Sequence, residues 1–328
     1  MEIGKVPENI LKRSVFKKLT VRRPEVLVHA GVGEDCAVLA PSEEALVLST
    51  DPITGTAKEI GKLAFHITAN DIASSGAELI GMMLTIIFPP DHTEDELKQI
   101  MEDVTALAKQ YEVEILGGHT EVSEAVNQTL ISVTGVGRIA SDKVISTGGL
   151  KAGQDLVVTK WIGLEGTAIL AAERKKELLA ALPSDLIETA EHFAGLLSVV
   201  PDSRVAIKNG VSAMHDVTEG GIFGALWEMA AASGVGLEVD LKKIPIRQET
   251  VEICEVFDIN PYMLISSGAM LIGTDHGSQL ADALERAGIH AAVVGRATAG
   301  NDRVILNGEE RRFLEPPKTD ELFRALKH

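Results

Sequence analysis

The amino-acid sequence predicts an α/β (α+β) protein of two domains, and three observations predict it. At 328 residues the chain exceeds what one hydrophobic core of ordinary size organises. Short apolar runs of strand length alternate with longer segments of helical period. A glycine- and lysine-containing stretch, Ser146-Thr147-Gly148-Gly149-Leu150-Lys151-Ala152-Gly153, separates two halves of similar style. The expected division is 1–150 and 151–328.

In chain order, Lys12, Arg13, Lys17, Lys18, Arg22 and Arg23 fall on an expected helix interrupted by Pro24. That basic helix reads as a solvated face or, alternatively, as a phosphate-facing flap. Residues 45–50 form a buried strand. Residues 58–75 form a helix with Ile60, Leu63, Ala64, Ile67 and Ile72 apolar and Gly76 beyond its end. A strand at 82–88 is stopped by Pro89-Pro90. Helix 94–111 is the clearest element, because Leu97, Ile100, Met101, Val104, Leu107, Ala108 and Tyr111 make one stripe. Thr93 and Glu96 supply its capping box. A strand at 113–116 should feed a glycine loop at 117–120, followed by a strand at 130–138. In the second half, strands are expected at 155–159, 211–214, 236–241, 269–272 and 291–294. Helices are expected at 167–179, 184–199, 222–232 and 249–257.

Composition limits the function. Aromatic residues are only 4% of the chain, so base-stacking platforms for nucleic acid have little material. A formal net charge of -17 argues against nucleic acid or an anionic membrane as partner. Cys36 and Cys254 make neither a disulfide framework nor a CxxC metal motif. The first residues lack the apolar core of a signal peptide, and no apolar run has membrane-spanning length, so a cytoplasmic location is expected.

Three acids stand out: Asp35 in Gly33-Glu34-Asp35-Cys36-Ala37-Val38-Leu39, Asp51 closing Ser49-Thr50-Asp51, and Asp71 in Asn70-Asp71-Ile72-Ala73. Separated acids near a loop of bare backbone suit a magnesium–triphosphate site. Carboxylates hold the hard cation through oxygen, and glycines let amide groups approach phosphate. Gly117, Gly118, His119 and Thr120 are the candidate phosphate-side residues. Asp51 alone could be a strand-end cap. Asp71 is harder to dismiss, since an acid among small and apolar helix residues is costly without a donor or a cation. A second polar corner, Met214-His215-Asp216-Val217-Thr218-Glu219-Gly220-Gly221, lies between a strand and a glycine-started helix. His215, Asp216 and Glu219 are the candidate catalytic residues there, with a simple helix cap as the alternative. No G-x-x-x-x-G-K-[ST], H-E-x-x-H or G-x-S-x-G motif occurs.

These segments, with Ser74-Ser75-Gly76-Ala77 and in this order and spacing, resemble one superfamily over nearly the whole chain. It comprises aminoimidazole ribonucleotide synthetase, selenophosphate synthetase, thiamine-monophosphate kinase and the hydrogenase-maturation dehydratase. The resemblance implies the two-domain ATP-binding fold of the synthetase type, with ATP and Mg2+ in a groove between the N-terminal domains of a homodimer. It also implies that Asp35, Asp51 and Asp71 bind metal and that Gly117 to Thr120 lie beside phosphate. The pattern is most like the dehydratase, which activates an amide-type oxygen of a thiocarboxamide with ATP. Two places differ: the sequence ends Leu326-Lys327-His328 without a cysteine, and His215, Glu219 and Ser266-Ser267-Gly268 replace the dehydratase's flanking arginines and Asn-Glu-Gly. The expected function is Mg-ATP-dependent activation of an amide-type or similar oxygen, on a small-molecule or protein acceptor that the sequence does not identify. A small-molecule kinase or synthetase, or a nucleotide-binding partner with little turnover, is the alternative.

Overall fold

The computed structural model describes residues 26–28, 34, 37–40, 43–53, 59–316 and 318–327. Asp35, Cys36 and the basic segment before Pro24 lie outside the described residues. The chain divides into two units at Val144/Ile145, with Glu34 belonging to the second unit.

The first unit runs β1 (Val26–Val28), β2 (Ala37–Leu39), β3 (Glu44–Ile53), α1 (Ile60–Ser74), β4 (Glu78–Phe88), α2 (Glu94–Tyr111), β5 (Glu114–Val122) and β6 (Leu130–Ala140). Its sheet has the order β1-β2-β3-β6-β4-β5. Only the β4–β5 pairing is parallel, with α2 as the crossover between these strands. Along β3, Ala45, Val47, Ser49 and Ile53 are buried, the period-2 pattern of a strand with one covered face. That face carries α1, which is buried nearly all round and built mostly of small and apolar residues. Gly135 and Gly137 of β6 let the helix approach: a Cβ at Gly135 would lie 2.6 Å from Thr68 Cγ2, and one at Gly137 would lie 2.5 Å from Ile72 Cγ2. Helix α2 starts and stops where its sequence says. Glu96 N donates to Thr93 Oγ1 at 3.4 Å, and Thr93 N donates to Glu96 Oε2 at 2.7 Å.

The glycine segment differs from expectation. Residues 117–120 are not a loop but the middle of β5, the exposed edge strand. The register slips between Met82 and Met83, so that Leu116 bulges out and lies over Gly81. Gly117 (φ 147°) and Gly118 (φ 152°) then run extended at positive φ, and a Cβ on Gly118 would overlap the Leu84 carbonyl oxygen. Glycine serves here to bring two strands together rather than to turn the chain.

The second unit runs β7 (Asp155–Thr159), α3 (Leu164–Glu173), α4 (Lys175–Ala181), α5 (Ser184–Glu191), α6 (Val200–Lys208), β8 (Ala213–Val217) and α7 (Gly221–Ser233). It continues through β9 (Gly236–Asp240), α8 (Gln248–Val256), β10 (Ala269–Thr274), α9 (Gly277–Arg286), β11 (Ala291–Thr298), β12 (Arg303–Asn307), β13 (Glu310–Phe313) and α10 (Glu321–Leu326). The sheet order is β13-β12-β9-β11-β7-β10-β8. One apolar cluster lies between this sheet and α7, and another between the sheet and α6 with α9. A third joins α3, α5, α8 and α10, and it contains Cys254.

Three expectations shift here. The helix expected at 167–179 starts at Leu164 and breaks after Glu173, where Arg174 leaves helical geometry and its guanidinium bonds Glu177 and the Ala325 carbonyl. The helix expected at 184–199 ends at Glu191 and tightens into a 3-10 turn, His192–Leu196. Strand β8 runs on to Val217 and takes in His215 and Asp216, which were expected in a loop. Although β8 is the last strand of its sheet, helices cover both of its faces, and both side chains are buried, one on each sheet face.

Candidate functional site

In the first unit the structure brings two of the three candidate metal acids together. Ser49 and Asp51 lie two residues apart on β3 and so face the same way, towards α1. Asp71 stands on the buried side of α1. The Ser49 hydroxyl forms a short hydrogen bond with Asp71 Oδ2 and lies 3.5 Å from Asp51 Oδ2. One hydroxyl thus stands between two carboxylates. Sequence reasoning missed Ser49, although its i, i+2 spacing from Asp51 was the available signal. Among the described residues no cluster of three ligating side chains gathers, and the third acid, Asp35, lies outside them.

The candidate phosphate residues share the sheet with this pair. Asp51 pairs with Val133, Val133 with Leu84, and Leu84 with Gly118, so Asp51 and Gly118 end one row across four strands. Three strand spacings put them about 14 Å apart, too far for both to touch one phosphate group. His119 and Thr120 follow on the exposed edge, with His119 Nε2 3.0 Å from Glu121 Oε2.

In the second unit His215, Asp216 and Glu219 do not converge. The His215 ring, 1% exposed, sits between Glu228 Oε2 of α7 at 3.1 Å and Thr147 Oγ1 at 3.4 Å. Asp216 points to the opposite sheet face, opposite Met270 of β10. Glu219 is half-buried in the short loop before α7.

Around that loop lies a group of polar residues that the sequence did not reveal. Asp320 Oδ2 accepts from Gly220 N at 2.6 Å, and its Oδ1 accepts from Ile265 N at 3.2 Å and Leu322 N at 2.8 Å. One carboxylate therefore ties the start of α7, the loop before β10 and the start of α10. Ser266 Oγ accepts from Gly163 N at 2.7 Å, which fixes the entry to α3. In the first turn of α3, Glu165 is 2% exposed and lies beside Ser267, itself 1% exposed. Burial pushes the Glu165 carboxyl up to about 7, the neighbouring Ser267 groups restrain the shift, and the Asp320 and Glu219 charges add to it. Asp320 is likewise pushed up to about 6 by burial despite its three amide donors.

Two mixed α/β units of these topologies, the first with paired acids on β3 and α1, define the class of the two-domain synthetase fold. The chain belongs to the AIR synthase related protein family: the N-terminal domain of the family matches residues 33–139 and the C-terminal domain matches residues 151–307. Among its relatives is a protein of Methanocaldococcus jannaschii described as a hydrogenase expression/formation protein. It is 28% identical over 336 residues, covering 98% of this chain and 97% of the relative. Carbamoyl dehydratase HypE of Rhodobacter capsulatus is also 28% identical, over 90% of this chain and 87% of its own. A crystal structure of the hydrogenase maturation protein HypE in complex with ATP superposes with a TM-score of 0.69 at 21% identity, covering 99% of this chain and 98% of that one.

Proposed function

We propose that this chain is an Mg-ATP-dependent enzyme that activates an amide-type or similar oxygen of an acceptor by phosphoryl transfer. The observation that carries this reading is the Ser49-bridged pair Asp51 and Asp71, set in a fold whose relatives are carbamoyl dehydratases. A solved HypE bound to ATP supports the nucleotide, and the all-oxygen donor set fits Mg2+. Asp51 and Asp71, with Asp35, would hold the metal, which when bound offsets triphosphate charge and polarises the phosphoryl group. Ser49 orients the two carboxylates through its hydroxyl. Gly117, Gly118, His119 and Thr120 present open backbone and polar side chains along β5, where the far end of an extended nucleotide reaches from the acids. In the second unit Glu219 is the accessible polar group of the loop before α7, and His215 and Asp216 anchor the strand that leads to it.

The reading includes a homodimer acting in the cytoplasm. Its support is the face of the first sheet turned away from α1, where Leu46 is 42% and Met83 48% exposed beside half-buried Leu48, Ile87 and Val136. Apolar side chains left exposed on a sheet face, here interleaved with Thr50, Thr85 and Thr134, fit a partner surface. Among the described residues no helix is long and apolar enough to cross a membrane.

The test is ADP formation by the full chain with Mg-ATP, with and without a primary carboxamide or a thiocarboxamide peptide as acceptor. The expected result is metal-dependent ADP release that the acceptor accelerates. ATP binding with no ADP under any of these conditions would make the chain a nucleotide-binding partner instead.

A further inference from the structure

The second unit holds a cavity of about 180 Å³ that the reading above does not use. It lies where the first turn of α7 meets the 3-10 turn Pro261–Met263 and the chain leaving β13. Its walls include Phe223 of α7, Asn260 before the 3-10 turn, Arg312 and Phe313 of β13, and Glu315 and Lys318 beyond that strand. The Phe223 ring stacks on Tyr262, with centroids 5.3 Å apart and planes 13° from parallel, which holds one flat wall in place. The Arg312 guanidinium stands 5.6 Å from the centre of the same ring. Phe313, 67% exposed, adds a second aromatic side chain that reaches solvent.

Three of these wall residues carry charge, and two of them cancel. Glu315 and Lys318 pair with each other at 2.6 Å. Arg312 forms no salt bridge among the described residues, and its contact is the Phe223 ring. Asn260 Oδ1 accepts from Tyr262 N at 3.1 Å, which leaves the side-chain NH2 group as a further donor. The wall therefore offers one positive charge without a counter-charge, beside aromatic faces, in a chain whose net charge is -17. A ligand that matches both is flat and carries one negative charge. Size narrows the class further. An engineered cavity of about 150 Å³ holds benzene, so this one takes a single ring with a small substituent and is too small for a nucleotide.

We propose that this cavity binds a small aromatic monocarboxylate, its ring against Phe223 and its carboxylate on Arg312. The planar guanidinium suits a carboxylate because it donates two parallel hydrogen bonds, and the Asn260 amide supplies another donor. Every lining residue belongs to the second unit, so the proposal goes beyond the phosphoryl-transfer reading and does not depend on it.

The test titrates the full chain, without ATP, with three probes followed by ligand-observed NMR. Benzoate has both ring and charge, benzyl alcohol has the ring alone, and acetate has the charge alone. The wild type should bind benzoate about tenfold or more tightly than either of the others. R312Q changes an exposed side chain, so the fold should survive it. It should weaken benzoate about tenfold, to the level of benzyl alcohol. F223L keeps an apolar group against the core but removes the flat face, and it should weaken benzoate while leaving acetate unchanged. Should F223L fail to fold, R312Q alone decides. No benzoate binding up to about 10 mM overturns the proposal. So does acetate binding as well as benzoate, or a benzoate affinity that R312Q leaves intact.

Discussion

Ser49 makes the two acids of the first unit a single object. Removing its hydroxyl by Ser49→Ala leaves Asp51 and Asp71 facing each other with nothing between, and partners of this kind typically contribute 10–100-fold in metal affinity. Calorimetric titration should show Ser49→Ala weakening ATP binding about tenfold in Mg2+ and not at all in EDTA. Asp71→Asn should lose most of the metal-dependent affinity while the melting temperature stays the same or rises. Glu165 has a separate signature in stability. Its carboxyl is raised from 4.5 to about 7, so wild-type and Glu165→Gln proteins should match below about pH 4.5, where the carboxyl is neutral folded and unfolded. As pH climbs to 7 the unfolded state ionises first, and the wild type falls behind the variant by up to about 3 kcal/mol. Thermal melts at pH 4 and pH 8 check the sign. Cys254, a core residue whose thiol burial pushes up to about 12, should stay unmodified at pH 7 in intact-mass spectra after incubation with ATP and a carbamoyl donor.

At the scale of elements, legibility tracked how local the cause of each element is. Helix α2 was readable to the residue because its cap, stripe and stop are all written within its own span. Strand β7 was readable because a short apolar run of strand length has few other uses. Strand β5 was not, because Gly117-Gly118 carries the composition of a turn while its conformation answers to Leu84 on another strand. His215 and Asp216 misled for a similar reason: polar residues look like loop until Glu228, thirteen positions on, supplies the buried partner. The acids Asp51 and Asp71 were visible, but their meeting was not, since a strand and a helix had to fold first. Gly118→Ala should therefore act on an element rather than on a turn. It should free β5 from β4, raising hydrogen exchange along Glu114–Val122 while the second unit keeps its protection.

For the whole molecule, charge and surface make the demands. A chain of net charge -17 and a nucleotide triphosphate repel each other, so ATP binding should be poor without a divalent ion. Equal ATP affinity in Mg2+ and in EDTA would contradict the metal assignment outright. The exposed apolar face of the first sheet gives a second requirement. Met83→Asp, on that open face, should turn a dimer into a monomer by light scattering, and ATP affinity should drop with it. A monomer that still binds one ATP per chain would show that each chain carries a complete nucleotide site.

Gly135 and Gly137 set a clearance, and so they work as a gauge. Helix α1 rests on bare backbone there, and that contact fixes how far Asp71 stands from Ser49 and Asp51. A single methyl at either position would act as a shim, lifting the helix by up to about an ångström without altering any of the oxygens proposed to hold metal. Octahedral Mg2+ tolerates little change in span, whereas the larger, more adaptable Ca2+ tolerates more. The choice between the two ions would then be tuned from the far side of a packing contact, by residues that touch neither.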